Sequence, residues 1–198
     1  PVISSKEIVF KKNEPIEPKY NNKKIIVSIG RLTKQKNFSL LLNCFASIKK
    51  KHNEYHLLIL GSGEEENILK KIIQDLGISN SVDLLGFKEN PYKYLNKAEC
   101  FILSSLWEDP GFVLLEAAYL NIPIIASNCP NGPAEILQNS SGGFLFKNNN
   151  KNELIQAFES FYKSSKIDLK IKKIKVKKYS KKFTKFGHFK NIQKIIEV

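Results

Sequence analysis

With 198 residues, 42% of them apolar, the chain can bury roughly 70% of its unfolded surface and build one large domain, or a domain with a tail, without staples. No apolar stretch approaches the ~18 residues that span a bilayer, and the opening PVISSKEI lacks the charged-then-apolar order of a signal peptide. The formal net charge of +13 and pI near 9.5 leave nucleic acid, an anionic membrane surface and phosphate-bearing substrates as candidate partners.

Strand-like and helix-like segments alternate from residue 24 to residue 164. Lys24 to Ile29 is a short β-branched run that ends at Gly30. Phe38, Leu41, Leu42, Phe45 and Ile48 follow at helical spacing, with Asn37 as the N-cap. His56 to Leu60 reads as a strand closed by Gly61-Ser62-Gly63, and Glu64 to Leu76 as a helix with an acidic first turn and Gly77 as its stop. Val82 to Leu85 is a strand closed by Gly86, Pro91 to Ala98 a short helix, and Cys100 to Leu103 a buried strand. Gly111 to Leu120 is predicted helical and Ile122 to Ala126 extended. The loop NCPNGP then leads to a short helix, Ala134 to Leu137. Gly143 to Phe146 is a last strand and Asn152 to Tyr162 a helix. From Lys163 to Lys194 lysine dominates, and the segment reads as a solvated connector followed by a terminal helix. The alternation predicts an α/β fold with a doubly wound, mostly parallel, Rossmann-like sheet; the strands are apolar throughout because helices cover both faces.

The chain contains no methionine, which predicts that it is cut from a longer polypeptide and lacks an N-terminal portion. Cys44, Cys100 and Cys129 are odd in number and far apart, so they read as unpaired thiols in a reducing cytosol, Cys44 and Cys100 being buried and inert. His52, His56 and His188 have no ligand spacing, and no metal is expected. Nearly all the positive charge is lysine, as an AT-rich genome would produce, yet position 31 is arginine, the single one in the chain. The lysine-rich tail reads first as a solvated face, then as a contact for lipid phosphate, and last as a nucleic-acid surface.

Glu108 and Glu116 stand with seven residues between them within SSLWEDPGFVLLEA, one in a strand-to-helix loop and the other about one turn inside the helix. In an open α/β sheet that loop lies at the carboxyl edge, where ligands bind. A helix start offers unpaired N–H groups and partial positive charge for a phosphate, and flanking carboxylates suit sugar or ribose hydroxyls. The loop Gly30 to Asn37 should exit at the same edge; in it Arg31 offers a rigid fork of donors and Lys36 a compact charge, a natural pair for a diphosphate. The alternative for Arg31 is a surface ion pair, and Lys34 is expected to face solvent. Gly61-Ser62-Gly63 matches only part of a dinucleotide fingerprint, because residue 66 is glutamate, and reads as a tight turn. Trp107 is either a pocket wall or packing. A glycosidase pair at Glu108 and Glu116 is disfavoured, since nothing places both carboxyls across one scissile bond.

The Gly30-Arg31-Leu32 loop with Lys36-Asn37, the Glu108-to-Glu116 spacing and the IPIIAS strand together resemble the C-terminal half of family-4 retaining glycosyltransferases, which have the GT-B architecture of two Rossmann-like domains facing a cleft. The resemblance covers residues 1 to 164, a nucleotide-sugar-binding domain, with 165 to 198 as the Lys-rich connector and terminal helix. It implies that an N-terminal acceptor domain is absent from this chain, and that the isolated domain lacks turnover. Carried over, Arg31 and Lys36 would hold the donor diphosphate, backbone N–H groups at Gly111, Phe112 and Val113 would meet phosphate or sugar, and Glu116 would bind the ribose. Glu108 would face the donor sugar near the reacting carbon, and the backbone of Phe87 would read the base. Many relatives have Gly-Phe-Gly after the first glutamate, where this chain has Asp109-Pro110-Gly111. The implied activity is retaining transfer of a hexosyl unit from a UDP- or GDP-sugar to a glycan or lipid-linked acceptor, in cell-surface polysaccharide synthesis. The cations would take the place of a metal, and no cofactor is implied. The place would be the cytoplasm, with a peripheral contact at the inner face of the membrane. Alternatives are a GT-B sugar-nucleotide epimerase and a nonenzymatic basic module that binds nucleic acid; the core segment has no basic stripe interleaved with aromatics to favour the latter.

Overall fold

The computed structural model describes residues 2–196. Six strands, β1 (Lys24–Ile29), β2 (Tyr55–Leu60), β3 (Val82–Leu84), β4 (Ala98–Leu103), β5 (Ile124–Asn128) and β6 (Phe144–Lys147), form one sheet in the order β3-β2-β1-β4-β5-β6, and every neighbouring pair is parallel. The helices are α1 (Ser5–Lys11), α2 (Phe38–Lys51), α3 (Glu66–Asp75), α4 (Tyr92–Lys97), α5 (Phe112–Tyr119), α6 (Pro133–Ile136), α7 (Lys151–Lys163), α8 (Lys166–Ser180) and α9 (Lys185–Ile196).

Alternate strand residues feed two cores, one on each face. Ile25, Val27, Leu58, Leu60 and Phe101 pack toward α1, α4, α5, α6 and α8. Ile26, Leu57, Ile59, Cys100 and Ile102 pack toward α2, α3 and α7. Successive side chains of a strand point to opposite faces, so burial on both faces requires an unbroken apolar run. β2 is the clearest case, buried at every position. The doubly wound parallel α/β sheet read from the sequence is therefore the fold observed.

Several boundaries move for identifiable reasons. β4 starts at Ala98, directly after α4, because Ala98 already pairs with Ile25. β5 starts at Ile124 rather than Ile122: Pro123 has no N–H to offer, and its carbonyl instead accepts from the Phe101 N–H at 2.9 Å. Asn37 occupies the N-cap position of α2, but in a left-handed conformation with no side-chain cap; its amide donates to Asn149 Oδ1 at 3.0 Å.

The expected solvated connector after residue 164 is instead α8. Ser165 caps it, accepting from the Asp168 N–H at 3.1 Å. Val176 is fully buried against Gly142, where a Cβ would stand 2.9 Å from the Val176 Cβ. Lys172 Nζ donates to the carbonyls of Ser140 and Gly143 at 2.6 and 3.0 Å, tying α8 to the loop before β6. So few residues of α8 face the core that its helical period is hidden among lysines.

Candidate functional site

β1 and β4 are neighbours from which the strand order runs outward in opposite directions, so a crevice opens beyond their carboxyl ends. The loops after them meet there. Gly30 has no side chain, and the stem of Lys36 lies across it: a Cβ at Gly30 would stand 3.0 Å from three carbons of that stem. Lys36 Nζ thereby reaches both oxygens of Glu108, donating at 2.6 and 2.9 Å. Ser105 Oγ donates to the same carboxylate, to Oε1, at 2.5 Å. Glu108 is only 3% exposed, so removing its charge from water is costly, and the ammonium and hydroxyl offset that cost.

Backbone contacts fix both loops. The Leu106 N–H donates to the Gln35 carbonyl, and Ser104 Oγ to the Lys36 carbonyl, each at 2.8 Å. Gln35 Nε2 donates to the Trp107 carbonyl at 2.9 Å. Behind them the Glu108 N–H donates to the Pro130 carbonyl at 3.1 Å. The glycines of the β2–α3 turn do more than reverse the chain. A Cβ on Gly61 would stand 1.9 Å from the Gly30 carbonyl oxygen, and one on Gly63 2.4 Å from that of Leu32. Their absence of side chains lets two backbones touch, and the Leu32 N–H donates to the Ser62 carbonyl at 2.9 Å.

Gly111, at φ 78°, occupies the N-cap position of α5 and leaves the helix start without a side-chain cap. A hollow of about 240 Å³ lies against it, lined by Gly30, Lys36, Glu108, Gly111, Phe112 and Val113. An adjoining hollow of about 260 Å³ is lined by Arg31, Gly61, Ser62, Phe87, Lys88 and Pro91; the two share Ile29 and Gly30. Arg31 is exposed and forms no ion pair among the described residues, and Lys34 is exposed too. A larger hollow of about 360 Å³, near Lys24 and Ala98, lies at the opposite, amino edge of the sheet.

Glu116 lies on α5 one turn beyond Val113, which lines the first hollow. Its Oε1 accepts from the Tyr92 hydroxyl at 3.1 Å, between α4 and α5. Burial raises its pKa above the usual carboxylate value, and the Tyr92 bond opposes that rise. The folded chain therefore holds this proton to higher pH than the unfolded chain does. From about pH 4.5 upward the folded state binds more protons, so stability falls as pH rises through that window. Glu116→Gln is expected to raise the melting temperature at pH 7 and to leave it nearly unchanged at pH 4, read by paired thermal melts; an equal shift at both pH values would contradict this.

Ser105, Gln35 and Tyr92 were not singled out from the sequence. Two serines closing an apolar strand, both almost fully buried, are the available signal, since a buried hydroxyl needs a partner. Trp107 is 48% exposed and lines neither hollow. All three cysteines are free and buried; burial pushes the Cys44 thiol up to about 12 and the Cys129 thiol to about 11, which keeps both protonated and unreactive. Among the described residues no group of three His, Cys, Asp or Glu side chains gathers to hold a metal, and no helix is long and apolar enough to cross a membrane.

The family described as Glycosyl transferases group 1 matches residues 9–182. An uncharacterized glycosyltransferase of Methanocaldococcus jannaschii is 42% identical over 129 residues, which are 63% of this chain and 32% of that protein. The N-acetylgalactosamine-N,N'-diacetylbacillosaminyl-diphospho-undecaprenol 4-alpha-N-acetylgalactosaminyltransferase of Campylobacter jejuni is 33% identical over 162 residues, 82% of this chain and 43% of that protein. The chain thus spans well under half the length of these two relatives. Among solved structures, a glycosyltransferase from Rickettsia africae superposes with a TM-score of 0.81 at 18% identity, over 98% of this chain and 54% of its own. HepE of Anabaena in complex with UDP-glucose gives 0.78 at 19% identity, over 89% of this chain and 49% of its own.

Proposed function

This chain belongs to the group 1 glycosyl transferases, and we propose that it is the donor-binding half of an enzyme that moves a hexosyl unit, with retained configuration, from a UDP- or GDP-sugar to a glycan or lipid-linked acceptor in cell-surface polysaccharide synthesis. Residues 1 to 164 form the nucleotide-sugar domain, and an acceptor domain elsewhere in the polypeptide closes the cleft. The observation that carries the reading is the meeting of Lys36 and Glu108 beside the uncapped start of α5, with the exposed Arg31 one hollow away. The relatives add weight. The name of the Campylobacter enzyme describes sugar transfer to a diphospho-undecaprenol-linked acceptor, and HepE was solved with UDP-glucose.

In this reading the diphosphate lies across Gly30. The Arg31 guanidinium holds it from one side and the Lys36 ammonium from the other, while the first N–H groups of α5 at Gly111, Phe112 and Val113 meet phosphate or sugar. Negative charge grows on the diphosphate as its bond to the sugar breaks, and these fixed donors stabilise that charge without a metal. Glu108, held by Ser105, keeps one acceptor oxygen toward the sugar. Glu116 binds the ribose hydroxyls once Tyr92 shares it, and the Phe87 backbone reads the base in the second hollow. A cytoplasmic location, peripheral at the inner membrane face, completes the reading.

Charge-assisted bonds contribute roughly 1.5–3 kcal/mol each, against roughly 0.3–2 for a helix end, so the two cations should dominate diphosphate binding. Arg31→Ala is expected to weaken binding of UDP or GDP by about tenfold or more in calorimetry. Because Arg31 is exposed and forms no ion pair among the described residues, the variant should melt as the parent does. Unchanged affinity for a diphosphate that the parent binds would sink the reading.

A further inference from the structure

We infer that the solvent face of α8 is a docking surface for an anionic lipid bilayer. Ile167, Ile171 and Ile174 are 71%, 47% and 54% exposed. Their spacing of four and three puts them on one face of the helix, a continuous apolar stripe in water. The inward side of α8 is already committed, with Val176 in the core and Leu169 and Tyr179 packed at its margin. Exposed lysines at 170, 175 and 178 lie among and beside the isoleucines. None of the three forms an ion pair among the described residues. The single acid of α8, Asp168, is engaged by Ser165, whose hydroxyl donates to Oδ2 at 2.6 Å.

Charge and apolar surface together select the partner. Isoleucines on a helix lying in the interface enter the acyl boundary, while flexible lysine stems carry their ammonium groups to the lipid phosphates. A nucleic acid would satisfy the lysines and leave the isoleucines in water. A protein would have to ring an apolar groove with acids, a demand that an anionic bilayer meets over any area. The inference takes from the proposed function only the peripheral location, and vesicle binding is measured without nucleotide, so the two can fail separately.

The test is co-sedimentation of the 198-residue chain with vesicles of phosphatidylcholine alone, or with about one third phosphatidylglycerol. The chain is expected to pellet with the anionic vesicles, not with the neutral ones, and to be released as salt is raised. Ile167→Gln/Ile171→Gln/Ile174→Gln keeps every lysine and alters only exposed positions; it should lower partitioning by about tenfold or more with an unchanged circular dichroism spectrum. Lys170→Gln/Lys175→Gln/Lys178→Gln should lower it as well, and stands in if the first variant does not fold. Absence of binding by the parent, or folded variants that bind as the parent does, would overturn the inference. So would a dimer that the isoleucine variant dissolves without any vesicle binding, since the stripe would then belong to a second copy of the chain.

Discussion

Gly61→Ala is expected to destabilise the chain by about 4 kcal/mol or more, lowering the melting temperature by about 10 °C or more. Two costs combine. Gly61 sits at φ 135°, which side chains rarely adopt, and its Cβ would stand 1.9 Å from the Gly30 carbonyl oxygen. That oxygen belongs to backbone, so it cannot swing aside as a flexible side chain would. Relief requires the Gly30 loop to move, and Arg31 and the bed of Lys36 move with it. Gly77 separates the two costs. It lies at φ 65° with nothing within 4 Å, so alanine there carries backbone strain alone, about 1–2 kcal/mol. Thermal melts of both variants at one pH decide the matter; equal losses would show that the contact between the two loops is unimportant.

Lys36→Met should cost about 3 kcal/mol in urea unfolding, a large loss for a residue outside the apolar core. The substitution keeps an apolar stem over Gly30 and strips the ammonium from Glu108, which is 3% exposed and would retain only the Ser105 bond. The penalty belongs mostly to the buried carboxylate left behind. Adding Glu108→Gln should therefore recover much of it, and the double-mutant cycle should show a coupling of about 2 kcal/mol. Strictly additive losses would mean that the ion pair contributes nothing to the fold. The same pairing bears on the proposed chemistry: a donor phosphate that draws on Lys36 must share it with Glu108, so Glu108→Gln, which frees the ammonium and removes a neighbouring negative charge, should raise diphosphate affinity.

The sequence revealed the elements whose burial is local and total. HLLIL read as a strand covered on both faces, and Gly111 before an apolar run marked the start of α5. It also marked Arg31, because one arginine in a lysine-rich chain stands out. α8 escaped because packing against Gly142 and the tethering of Lys172 decide its inward face, and neither shows in an apolar period. Glu116 stands on α5 as the sequence implies, yet its Tyr92 partner comes from another helix, so that hydrogen bond could not be read from spacing.

By itself, the order of residues determined that strands and helices alternate and that the sheet is parallel, since the apolar runs and the glycine stops act within a few residues of one another. The sequence put the Gly30 and Glu108 loops at one edge of the sheet, and only the tertiary structure decided which side chains touch there. Lys36 and Glu108 are 72 residues apart and come together because β1 takes β4 as its neighbour. That choice is made by the packing of whole helices on two faces, a long-range balance that no short stretch of sequence contains.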